Sequence, residues 1–92
     1  MIPTTGRIVH YTLTANDVDA IKRNRIAAEN ARIFGNEPSE GDVLPMLIVK
    51  PWGETEGSAV NGQVFLDGND SLWVTSRSEG TGPFTWAAPP RA

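Results

Sequence analysis

Apolar and polar residues alternate along residues 7–13, Arg-Ile-Val-His-Tyr-Thr-Leu, placing Val9, Tyr11 and Leu13 on one side and Ile8, His10 and Thr12 on the other. A period of two predicts a strand with its Val9 side on the core and His10 facing out or into a pocket. Thr14 follows as a helix N-cap, and Asp17 and Asp19 suit the positive end of a helix dipole. The helix is expected to run to about Phe34, where Gly35-Asn36 and Pro38 stop it. On a helical wheel Ala15, Val18, Ile21, Ile26, Ala28 and Ile33 make the buried side, with Lys22, Arg25, Glu29 and Arg32 projecting into the middle of the same arc. Two readings of that row stay open. Arg25 and Glu29 form an i, i+4 pair while long stems pass the core, or the row of Lys22, Arg25 and Arg32 meets an acidic ligand or partner protein.

Residues 42–52 form the second strand. The apolar run 46–49 argues for central burial, while Pro45, which lacks a ladder donor, argues for an edge, bulge or bend. The acidic stretch 53–58 is a flexible connection. Residues 61–76 carry the strongest hairpin signal: arms 63–66 and 72–75 flank Asp67-Gly68-Asn69-Asp70, residue types that tolerate a tight turn. Each arm has three consecutive large apolar residues, so each is expected to meet protein on both faces. Val64, Leu66, Leu72 and Val74 are assigned to the core, which turns Phe65 and Trp73 toward a second subunit or a ligand. A second Gly-rich turn is expected over 77–82 and a last short strand over 83–87. The sum is one α+β domain over residues 1–92, with 1–5 and 88–92 loosely ordered. It is a small, bent antiparallel sheet or SH3-like β-barrel of about five strands, with one helix inserted between strands 1 and 2 and packed on an open end.

Composition narrows the class. With 39% hydrophobic and 21% charged residues, the chain reads as an ordinary globular domain. It has no cysteine, which excludes disulfides, thiolate nucleophiles and Cys-based zinc sites. No apolar run approaches the roughly 18 residues of a membrane span. The start of the chain lacks signal-peptide features, so it is expected to begin near Met1 and stay inside the cell that makes it. The net charge of −3 is uneven: residues 22–32 hold four basic residues against Glu29, a local +3 that leaves −6 for the rest. One cationic face on an acidic chain is too little for duplex nucleic acid.

Catalytic signatures are missing. His10 is the single histidine, and no Gly-x-Ser-x-Gly elbow, phosphate loop or dinucleotide fingerprint accompanies it. Asp67-Gly-Asn-Asp70 would need a Glu at the twelfth position to resemble an EF-hand loop, and that position is Ser78. Glu54 and Glu56 lie in the flexible loop. No enzyme activity, metal or cofactor is therefore expected. What remains is a binding inventory of flat rings and basic groups: Arg7, His10, Tyr11, Trp52, Phe65, Trp73, Arg77 and Trp86. Rings and guanidinium forks suit a purine and its phosphate, and they equally suit a core and an oligomer interface.

Four stretches, Gly6-Arg-Ile-Val-His-Tyr11, Gly41-Asp-Val-Leu-Pro-Met46, Val60-Asn-Gly-Gln-Val-Phe-Leu-Asp-Gly-Asn-Asp70 and Trp86-Ala-Ala-Pro89, resemble small uncharacterised proteins of actinobacterial phages and prophages. The resemblance covers most of the chain and implies an accessory product acting in the host bacterial cytoplasm. Two functions suit that context. One is a homo-oligomeric sponge that sequesters a nucleotide-derived immune signal between subunits, using the eight ring and basic residues above. The other is a protein-protein module that inhibits or redirects a host protein through Lys22, Arg25 and Arg32. A virion or structural accessory part is a third.

Overall fold

The structure is a computed structural model that describes residues 1–28, 33 and 35–90. Five strands, β1 (Ile8–Thr12), β2 (Val43–Pro51), β3 (Val60–Phe65), β4 (Ser71–Glu79) and β5 (Thr85–Ala87), close into a barrel in that order, with β5 returning to β1. One helix, α1 (Ala15–Ala27), lies between β1 and β2. The expected α+β barrel with one inserted helix is thus the observed architecture. Every strand pair is antiparallel except β4 and β5, which run parallel where an antiparallel sheet was expected. The connection 80–84 doubles back on itself, with Phe84 at φ 74°, so β5 departs alongside the end of β4.

The barrel interior follows from the alternation. Val9, Met46, Val64 and Leu72 pair in register across four strands and are all buried. Ile48, Gly62 and Val74 form the next inward row. Gly62 is required there, because a Cβ at that position would come within 2.6 Å of Met46 Cγ and 2.9 Å of the Leu47 carbonyl. Tyr11 pairs with Trp86, and both are fully buried with Leu13. Ahead of β1, Met1 packs against this core and Pro3 is buried.

Several expectations change. Thr14 caps α1 as predicted, its hydroxyl accepting from Asp17 N–H while the Asp17 carboxylate accepts from Thr14 N–H. The helix, however, reaches its C-cap at Ala28 rather than near Phe34. Residues 29–32 and Phe34, including the Glu29 partner proposed for Arg25 and the candidate Arg32, lie outside the described residues. Only Val18 and Ile21 of the expected apolar side are buried hydrophobics, and Ile26 is 74% exposed. Of the 13 residues of α1 one short stripe, Asp17, Val18 and Ile21, reaches the core, and Ile26 lies off it.

The hairpin arms also differ. Val64, Leu66, Leu72 and Val74 are buried as assigned, while Phe65 and Trp73 are exposed, so within one chain the arms meet protein on one face. The Gly-rich turn expected to begin at Arg77 starts three residues later, because β4 continues through a bulge. Between the Gly62–Val74 and Val60–Arg77 pairs, β3 contributes Asn61 alone while β4 contributes Thr75 and Ser76. Ser76 takes φ 59°, and its N–H, displaced from the ladder, donates to Asn61 Oδ1 at 3.0 Å.

Candidate functional site

Two assemblies gather the sequence candidates, one at an end of the barrel and one on its outer wall. The bulge at Ser76 creates the first. Without it, alternation along β4 would turn Arg77 outward; with it, Arg77 faces inward beside Val60. Arg77 Nε then donates to Tyr11 Oη at 2.9 Å and its Nη1 to the Thr75 carbonyl at 2.7 Å. Tyr11 Oη donates to Asp17 Oδ2 at 2.6 Å, and Arg77 Nη2 lies 3.4 Å from Asp17 Oδ1. The Phe84 ring covers the guanidinium at 3.7 Å. Burial, reinforced by the hydrogen bond to Asp17, pushes the Tyr11 hydroxyl far above its ordinary range. Among the described residues Ser76 and Phe84 are the non-glycine residues with positive φ, and both serve this one arginine. The assembly is closed: every polar group in it is paired, so it holds the helix N-terminus to the barrel and leaves little for a ligand to take.

The outer wall is different. Ile8, Leu47, Gln63 and Trp73 pair in register across β1, β2, β3 and β4. All four lie on the side opposite the buried row. On β2 the outward positions Val43, Pro45, Leu47 and Val49 are apolar throughout, Val49 being the extra residue of a second bulge. Six of the nine exposed large hydrophobics among the described residues lie on this wall or at its end: Ile8, Val43, Val49, Trp52, Phe65 and Trp73. Of the polar residues among them, Asn61, Gln63, Ser71 and Thr75 are uncharged, and Lys50, which pairs with Asn61 toward the rim, is cationic. No carboxylate faces outward along β1 to β3 or residues 71–75 of β4, although the chain carries eleven acids. The acids Asp42, Glu54, Glu56, Asp67 and Asp70 stand at the strand ends instead. Trp52 is held at the rim: its Nε1 donates to Asn61 Oδ1 at 3.0 Å and Lys50 Nζ sits 5.2 Å from its ring.

The eight ligand candidates therefore divide. Trp52, Phe65 and Trp73 are exposed on the outer wall, His10 is half-buried there opposite Pro45, and Arg7 is exposed just ahead of β1. Tyr11, Arg77 and Trp86 belong to the interior, where Trp86 Nε1 has no hydrogen-bond partner among the described residues. Ile8, Leu47 and Gln63, the centre of the wall, were absent from the candidates. Their signal was present in β2, apolar on both sides, which is what a strand covered on both faces looks like.

The helix row is not one surface either. Arg25 is turned to the hairpin tip, Nε to Asp70 Oδ2 at 2.9 Å and Nη2 to Asp70 Oδ1 at 3.1 Å, with Nη1 on the Asn36 carbonyl. Lys22 reaches Glu37 at 3.5 Å. Beside this clamp lies a cleft of about 290 Å³ lined by Arg25, Asn36, Glu37, Pro38, Asp42, Val43, Leu44, Leu66 and Asp67. Its three carboxylates oppose a phosphate-bearing ligand. None of the eight ring and basic candidates lines it.

The chain matches no known protein family, no curated protein and no solved structure. Among the described residues no helix is long and apolar enough to cross a membrane, and no group of three or more His, Asp or Glu could hold a metal ion.

Proposed function

We propose that this chain is a non-catalytic binding protein that works through the outer wall of β1–β4, docking a protein surface. The observation that carries the reading is the in-register row of Ile8, Leu47, Gln63 and Trp73 on a wall without carboxylates. Protein interfaces have such a middle, depleted in charge and rich in aromatic anchors, with charges at the rim. A nucleotide sponge is less well supported within one subunit, since the exposed rings lie on an open wall and the cleft is acidic. In the phage setting implied by the sequence resemblance, the docked protein would be a component of the host cytoplasm or of the phage itself.

The test compares the wild-type chain with the double variant Phe65→Ser, Trp73→Ser. Co-purification of one identified protein from host cells should be lost in the variant, and retention would reject the wall. Thermal shift with cyclic oligonucleotides and ADP-ribose derivatives addresses the sponge. Stabilisation by one of these, abolished by the same substitutions, would replace the protein partner with a nucleotide.

A further inference from the structure

We infer that a second copy of this chain covers the outer wall, in a two-fold dimer with Leu47 and Gln63 near its axis; the inference rests on the wall being the docking surface. β5 closes the barrel through two residue pairs to each neighbour, Ser78–Thr85 and Glu79–Trp86 on β4 and His10–Ala87 and Tyr11–Trp86 on β1, and the apolar outer wall is the face on which two copies meet wall to wall. Charge selects which wall. Each copy carries −3, so most approaches of one copy to another meet like charge, and the carboxylate-free wall is the approach that does not.

The centre of the wall also suits its own image. A two-fold axis along the row brings Leu47 to Leu47 and Gln63 to Gln63. A carboxamide is both donor and acceptor, so a pair of them across the axis satisfies itself, which a lone charged group at that place would not. Area is sufficient: Trp52 and Trp73 at 56% exposure and Phe65 at 43% alone offer on the order of 300 Å². With Ile8 and the outward side of β2 added, the patch exceeds what monomers usually leave exposed and approaches the roughly 800 Å² per partner of a stable interface.

Sedimentation equilibrium of the full chain from about 1 µM to about 1 mM tests this. The wild type should be a reversible dimer. Gln63→Glu and Gln63→Lys, each placing like charges across the axis, should weaken it at least about tenfold, and an equimolar mixture of the two should restore association. Should either variant fail to fold by circular dichroism, Trp73→Ser serves in its place, with the same tenfold weakening expected. A wild type that stays monomeric throughout overturns the inference, as does a dimer indifferent to these substitutions. A mixture that remains monomeric overturns the Gln63 pairing. The docking reading fails separately, when the Phe65→Ser, Trp73→Ser variant keeps its partner or ligand.

Discussion

Tyr11 illustrates how much one side chain carries in a small barrel. It is fully buried, pairs in register with Trp86, and joins Asp17 at the helix N-terminus to Arg77 on β4. Because its hydroxyl titrates far higher folded than the usual value of about 10, its contribution to stability is complete below that pH and is lost as pH rises above it. It is the single tyrosine, so alkaline absorbance titration reads it alone. Phenolate absorbance should appear only together with unfolding; a reversible transition near pH 10 in the folded protein would contradict the buried network. Tyr11→Phe should remove that alkaline loss and cost about 1–3 kcal/mol at neutral pH, since the Asp17 carboxylate loses a buried donor. The inward side of Tyr11 was legible from alternation. Its partner Arg77 was not, because an alternation rule cannot anticipate the extra residue at Ser76.

At the scale of elements, the hairpin tip and the helix are one unit. Asp67, Gly68 and Asp70 were read correctly as turn residues, yet all three also hold α1 and the chain that follows it. Asp70 receives the Arg25 fork, Asp67 accepts from the Asn36 carboxamide, and Gly35 bridges to Gly68. The Arg25 and Asp70 side chains are only 18% and 12% exposed, so their bidentate pair is shielded from the screening that weakens surface ion pairs. A double-mutant cycle on Arg25→Ala and Asp70→Ala, followed by urea unfolding, should give a coupling of about 1–2 kcal/mol. A coupling near zero would mean that the tip and helix fold independently. Helical spacing alone pointed Arg25 to Glu29 or to a partner, because a residue 45 positions away is invisible to local periodicity.

For the whole molecule, the two sides of the barrel wall should respond oppositely to substitution. Trp86→Ala empties the centre of the core and should cost about 3–5 kcal/mol, with loss of the cooperative unfolding transition. Trp73→Ser, at a side chain already 56% exposed, should leave the unfolding free energy of the monomer within about 0.5 kcal/mol when measured at low protein concentration. Equal costs at the two positions would mean that the outer wall is part of the subunit's own core. Both tryptophans follow the same residue-type rule in the sequence, and only their side of the sheet separates them.

Local rules were enough to determine the strand and helix order, the Thr14 cap, the 67–70 turn, and the inward set Val9, Tyr11, Leu13, Val64, Leu66, Leu72 and Val74. Each depends on neighbours within a few positions, where alternation and turn chemistry act. Tertiary structure alone decided the parallel β4–β5 closure, the Arg77 reversal, the Arg25–Asp70 clamp and the continuous outer row. These depend on register between strands and on two bulges, and a one-residue shift in register exchanges the two faces of a strand.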